Sequence, residues 1–384
     1  MSSAVINPLP QTRGPRRQPR GRVRALESGD LTRIAQLYAR VYPARPDAAL
    51  PELRERLERV LLHHPWPDPR LPSLVYEDTE GELVGCLGVL PRPMMHRDGR
   101  KLTAAISHSF LVAPGSRSTL AALQLAKRFL QGPQDLSLAE GNDSSRCLWE
   151  RFGGSVLPLY SLGWVRPLRP ARYALGFLQR RGLRPWLGTL LQPLCGLLDE
   201  YVRLVLPKWF RVTGISGAEP LRASVAAAEF ARLARLCSLR PVYDADSFGW
   251  LLETLRANRT HGELQHHAVV DAHGGLHGWY VYYLRPDSVA EVVQLVADPS
   301  RAATVFDHLL HSARCTRAIA VAGALDPAWL GTLAERGCLF HHDGHSWMLM
   351  HSRQSPVQSA FHEGRAFVSR LDGEWWISSL LGYH

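Results

Sequence analysis

The segment from Leu111 to Gly154 limits the fold of this 384-residue chain more than any other stretch. It reads LVAPGSRSTLAALQLAKRFL and then, after a short connection, DLSLAEGNDSSRCLWERFGG. The spacing predicts a strand, a tight loop, a helix with one apolar face, a second strand and a helix headed by Asn142. A strand that ends in a loop opening a helix presents free backbone N–H groups at the helix start. Such a terminus holds a pyrophosphate without burying an unpaired counter-charge. Ser118 and Thr119 stand at that point and add hydroxyl groups.

At this length one hydrophobic core has stopped growing, and two domains of roughly 150 residues each are expected. A hydrophobic fraction of 46% supplies a sizeable core. Residues 22–169 read as one α/β unit. It comprises a short strand at Arg22 to Leu26, a helix LTRIAQLYARVY capped by Asp30, a helix around Leu50 to His64, a hairpin from SLVYED to ELVGCLGVLPRPM, and the strand KLTAAISHSFLVAP. Residues 211–352 repeat that order: two helices, three strands, a helix near Arg301 to Arg314, the strand RAIAVAG, a helix from Asp326 and the strand SWMLMHS. The pattern predicts a tandem duplication of the α/β (α+β) class, each copy a mixed, mostly antiparallel sheet flanked by helices. In the extension 353–384, AFVSRL, the Asp372-Gly373 turn and EWWISSL predict a docked hairpin.

Between the copies, residues 170–210 shift to long apolar helices flanked by Arg180, Arg181, Arg184, Lys208 and Arg211. Asp199, Glu200, Arg203 and two prolines interrupt the run, which therefore lacks the ~20 unbroken apolar residues of a spanning helix. The segment reads as a helical connector packed on both domains, because a helix buried on two faces is apolar all round. The alternative is peripheral contact with a membrane surface through 186–206.

The formal charge is +10, and six arginines with no acid lie in the first 24 residues. Residues 1–21 read as a disordered basic arm. Aromatic residues are not interleaved with its arginines, so nucleic acid is not an expected partner. No apolar run of about 7 to 15 residues follows, as a secretory signal requires, and the expected location is the cytoplasm, with the inner membrane face as a peripheral site. The cysteines at 86, 147, 195, 237, 315 and 338 show no paired spacing and read as buried, reduced thiols. His341, His342 and His345 lack a fourth partner, so no metal is expected.

The 111–154 segment resembles the acyl-CoA site of the GNAT superfamily, the GCN5-related N-acetyltransferases. The family's loop reads approximately V-x-P-x-x-[QR]-x-x-G-x-[GA]; Val112, Pro114, Arg117 and Ala122 match, and Leu120 stands where the glycine is expected. Its following helix reads N-x-x-[AS]-x-x-L-Y-E-[KR]-x-G. Asn142, Ser145, Leu148, Glu150, Arg151 and Gly153 fall in register, with Trp149 in place of the tyrosine. The resemblance implies that acetyl-CoA or another acyl-CoA is held by Leu111, Val112, Arg117, Ser118, Thr119, Leu120, Ala121, Ala122 and Asn142. It also implies acyl transfer to an amine of an unidentified acceptor within a ternary complex, the carbonyl being polarised by a strand N–H near Leu111 or Val112.

Relatives often carry a carboxylate base four residues ahead of the Val112 position, which here is His108; Glu140 is the second candidate. Trp149 does not replace the tyrosine that protonates the departing thiolate, since an indole N–H is not an acid near neutral pH. In the second copy the loop VADPSRAATVF keeps Arg301 but lacks glycine, and Ala334 falls where Tyr or Trp would stand. That copy is expected to be degenerate, a scaffold or a wall of the acceptor site, with Glu291 facing either solvent or an acceptor amine. Leu120 and Trp149 leave a second reading open, a non-catalytic GNAT-fold binding or assembly module.

Overall fold

Strands buried on both faces and helices buried on one build two sheets in this computed structural model, which describes residues 21–42, 50–115, 118–206, 217–342, 344 and 346–382. The basic arm lies outside those residues except for Gly21. The first copy runs β1 (Arg22–Ala25), α1 (Leu31–Val41), α2 (Leu50–Leu61), β2 (Leu74–Glu77), β3 (Leu83–His96), β4 (Lys101–Val112), α3 (Ser118–Leu130), β5 (Leu136–Gly141), α4 (Asp143–Arg151), β6 (Ser155–Val156) and β7 (Gly163–Pro167). A helical hairpin follows, α5 (Pro170–Arg180) and α6 (Pro185–Val205). The second copy runs β8 (Gly217–Pro220), α7 (Ala223–Leu233), β9 (Leu239–Pro241), α8 (Ala245–Ala257), β10 (Glu263–Val270), β11 (Leu276–Leu284), β12 (Val289–Ala297), α9 (Ala302–Cys315), β13 (Ala320–Ala324), α10 (Leu330–Glu335), β14 (Leu339–His341) and β15 (Trp347–His351).

Apart from the short β9, which pairs with β3, the two copies carry the same elements in the same order. Their last strands are exchanged. One sheet is ordered β1-β2-β3-β4-β5-β15-β6, the other β14-β7-β13-β12-β11-β10-β8. Trp347 to His351 pair antiparallel with Gly141 to Ser137, while Trp164 and Val165 pair between β13 and β14. Sheet membership therefore crosses the chain boundaries drawn at 169 and 211. In the first sheet, Leu90, Met94, Ala104 and Ile106 belong to the core shared with α1 and α2, and Leu87, Val89 and Ala105 to the core shared with α3. Both faces of the central strands are thus covered, which is why β3 and β4 read as continuous apolar runs.

Three local expectations are corrected. The C-terminal hairpin does not form: Ser355–His362 (α11) and Trp375–Leu381 (α12) are helices. Asp372 does not head a strand turn, because its carboxylate receives Arg92 Nη2 at 2.7 Å, the Tyr243 hydroxyl at 2.5 Å and the Ser369 hydroxyl at 2.7 Å. Asp30 does not cap α1 with its side chain; it accepts both Arg24 terminal nitrogens at 2.6 and 2.7 Å and the Glu27 N–H at 3.0 Å. The cysteines are not uniformly buried. Cys86 and Cys338 are, and burial pushes both thiols up to about 12, but Cys147 and Cys315 are exposed.

Candidate active site

β4 and β5 run parallel but stay together briefly. Ala104 to Ile106 face Leu136 to Leu138, and no pairing is recorded among the described residues between Ser107–Val112 and Ala139–Gly141. The strands diverge into a wedge. A bulge accompanies it: Cys86 faces Leu111 and Gly88 faces His108, so Ser109 and Phe110 together oppose Leu87. Ser109 has a φ of 49°, and its N–H donates to Glu374 Oε1 at 3.2 Å, across the wedge and not along the ladder.

Beyond the wedge, the Ala113 N–H donates to the Val84 carbonyl at 2.8 Å, and Gly115 turns the chain at a φ of 140°, where a side chain is disfavoured. Arg117 lies outside the described residues. Helix α3 then starts at Ser118 and packs Ala121, Leu125 and Phe129 on the sheet. Its close approach is allowed by Gly85 in β3, where a Cβ would sit 2.9 Å from Leu125 Cδ1. Leu120 is 42% exposed, so the residue standing in place of the family's glycine turns its side chain to solvent; Thr119 is exposed as well, and Ala122 is partly buried. Leu111 faces the α1–α2 core and Val112 the α3 side. No acid occurs in the sequence between Leu111 and Leu130, so the loop itself brings no carboxylate to the start of α3.

The next helix divides its predicted residues between two tasks. Asn142 is exposed, and its side-chain oxygen caps α4 by accepting the Ser145 N–H at 3.0 Å. Trp149 is 3% exposed and packs against Phe129 at a ring separation of 5.9 Å. Position 149 is therefore part of the core between α3 and the sheet.

The two candidate bases lie in different surroundings. His108 is fully buried; its ring covers Gly88, where a Cβ would approach to 2.4 Å, and its Nδ1 lies 3.1 Å from the Ser109 hydroxyl. Burial, and secondarily His64 nearby, hold its pKa down to about 3, so it is a neutral imidazole that resists protonation. Glu140 is half-buried, accepts the Trp375 N–H at 3.2 Å, and lines a cavity of about 200 Å³ between the sheets together with Tyr160, Ser161, His341, Arg370 and Trp375.

Sequence reasoning missed the segment that joins these strands. Residues 366–382 form a strap: Glu374 reaches the β4 bulge, the Trp375 N–H reaches Glu140 on β5, and α12 is buried along its whole length. The signal in D-G-E-W-W-I-S-S-L-L was the acid directly ahead of a short run of apolar residues, which a seven-residue buried helix also produces.

The second copy has the corresponding wedge between β12 and β13, paired at Val289 to Val292 with Ala320 to Gly323. Its loop carries an acid. Asp298 accepts the Ser300 N–H at 3.0 Å, the Ser300 hydroxyl at 2.8 Å and the Arg235 guanidinium, which holds its carboxyl well below the usual range. Glu291 is paired with Arg370 at 2.7 Å. Asp326, whose carboxyl is enclosed at the foot of α10, is pushed up to about 7 by burial. Among the described residues, no group of three or more His, Cys, Asp or Glu side chains is placed to hold a metal.

No family profile and no curated protein matches the sequence. Solved structures do match the fold. A GCN5-related N-acetyltransferase from Anabaena variabilis superposes with a TM-score of 0.57 at 12% identity, covering 86% of this chain and 72% of that one. A conserved protein from Enterococcus faecalis, described as a probable N-acyltransferase, gives 0.56 at 12% identity with the same coverages. The N-myristoyltransferase of Saccharomyces cerevisiae, solved with bound myristoyl-CoA and inhibitors, gives 0.51 at 12% identity over 92% of this chain and 83% of that one. The chain has the GNAT fold.

Proposed function

We propose that the chain is an acyl-CoA-dependent N-acyltransferase whose first copy holds the cofactor and whose second copy is a scaffold. One observation carries this reading: the β4–β5 wedge opens beside an acid-free loop and the start of α3, while the matching loop of the second copy is closed by Asp298. The pyrophosphate is held by the N–H groups of Ser118, Thr119 and Leu120 with Arg117, and by the approach that Ala122 allows. The pantetheine arm and thioester lie along Leu111 and Val112, with Asn142 at the head of α4 flanking the wedge on the β5 side. The acyl group is acetyl or a related chain.

An acceptor amine entering the cavity beside Glu140 attacks the thioester carbonyl carbon. The carbon–sulfur bond breaks, the amine loses its proton to Glu140, and the thiolate leaves to be protonated by solvent, because Trp149 is buried in the core. His108 acts by filling the floor of the bulge and fixing Ser109. Two contacts favour the alternative, a non-catalytic binding module: Glu374 takes the Ser109 N–H, and the Trp375 N–H engages Glu140. Calorimetric titration with acetyl-CoA, followed by amine-dependent release of free CoA thiol, separates the two. Binding with no release across a panel of primary amines favours the module, and absence of binding at high micromolar ligand removes the enzyme reading.

A further inference from the structure

Helix α6 is amphipathic in the reverse of the usual sense. Its buried residues are Gly188 and Asp199, and its outward face carries Trp186, Leu190, Leu194, Leu197, Tyr201 and Leu204, each between 55% and 75% exposed. These positions recur at three- and four-residue intervals and form one stripe about 27 Å long. The expectation of a connector packed on both domains is thereby corrected: α6 packs mainly on α5, and the apolar side is the one that faces out. A surface helix in water shows the opposite arrangement, because exposing such a stripe costs free energy in proportion to its area.

Arginines border this stripe. Arg180, Arg181 and Arg184 are exposed at the turn of the hairpin. Further along α6, a cleft of about 520 Å³ is lined by Arg169, Arg172, Arg203, Arg314 and Arg317, and Leu197 belongs to both the cleft and the stripe. Asp287 accepts from Arg169, Arg172 and Arg317, Glu200 pairs with Arg203, and Asp199 also lines the cleft, so five arginines stand beside these three carboxylates. No described helix is long and apolar enough to cross a membrane. An apolar stripe beside a cationic rim on a helix too polar to span is the pattern of a helix lying in a bilayer interface.

We propose that the α5–α6 hairpin docks on an anionic bilayer surface, with the α6 stripe entering the acyl boundary and the arginine cleft receiving lipid phosphates. A second copy of the chain is the less fitting occupant, since a twofold pairing of this face brings each arginine rim against its own like charge. The inference stands on the hairpin alone and does not depend on acyl transfer.

Flotation of the full chain with vesicles tests it, using phosphatidylcholine alone and phosphatidylcholine with about one third phosphatidylglycerol. The expected result is recovery with the anionic vesicles, at least about tenfold above the neutral ones, falling as salt rises. The double variant Leu197→Glu with Leu204→Glu is expected to lose at least about tenfold of that binding while keeping its circular dichroism, its melting temperature and its acetyl-CoA titration, because both side chains are exposed. No flotation of the wild type overturns the proposal. Equal flotation of the double variant also overturns it, assigning lipid binding to the basic arm. So does a wild-type dimer, seen by light scattering, that the double variant splits without any vesicle binding.

Discussion

The two wedges are built from the same elements in the same order, and they differ in what closes them. In the first, the loop from β4 to α3 holds no acid and turns through Gly115, and the strands part after three paired positions. In the second, Asp298 binds its own loop and Arg235, the strands stay paired over four positions, and Arg370 ties Glu291 to the strap. A carboxylate at the start of a helix occupies the charge position that a phosphate would take. The difference teaches that one fold carries loops of different charge at its two helix starts, so the fold alone does not make a cofactor site.

The strap reaches both wedges, through Arg370 and Glu374, and Asp372 lies between those two contacts, so the largest effect is expected there. Asp372→Ala leaves Arg92, which is 1% exposed, buried without its ion partner. A loss of about 3–5 kcal/mol in urea unfolding is expected; a loss under about 1 kcal/mol means that the strap is held from elsewhere. Next is Glu140→Gln, which is expected to lower turnover at least about tenfold with acetyl-CoA affinity unchanged. Unchanged turnover removes Glu140 as the proton acceptor.

The wedges also predict opposite pH slopes. The buried His108 titrates near 3 when folded and near 6.5 when unfolded, so the unfolded chain binds the extra proton between those values and stability rises with pH across that window. Asp326 titrates near 7 when folded against 3.8 when unfolded, so the folded chain holds the extra proton and stability falls as pH rises through that window. Between about pH 5 and 6.5 each term is on the order of 2 kcal/mol. His108→Gln is expected to flatten the rise and Asp326→Asn the fall, read as urea midpoints against pH. Changes of the same sign in both variants contradict the assignment. The smallest effect is that of Asp298→Ala, about 1 kcal/mol or less, because its arginine partner is exposed. The variant is expected to leave the number of acetyl-CoA sites at one.

Element order was legible because helical and strand spacing is written locally, from the α1 heptad-like pattern to the apolar run of β12. The exchange of β7 and β15 was not, since GWVRP and WMLMH look alike whichever sheet receives them. Helix α12 reads as a strand in the sequence because a short helix buried on every side shows no 3.6-residue period. The outward stripe of α6 was visible as apolar residues, but its direction depends on which side Gly188 and Asp199 turn inward. At the site, the loop and the head of α4 were legible from their letters. The contacts of Glu374 and Trp375 were not, because each joins residues more than 200 positions apart; nor was the burial of His108, whose ring packs over Gly88 on the neighbouring strand.

The most direct test of the contrast between the wedges is calorimetric titration of acetyl-CoA into the full chain and two variants. One site per chain is predicted, lost by at least about 100-fold in Arg117→Glu, where an acid meets the phosphates, and retained in Asp298→Ala. Absence of binding, a second site in the wild type, or full affinity in Arg117→Glu contradicts the assignment of the cofactor to the first wedge.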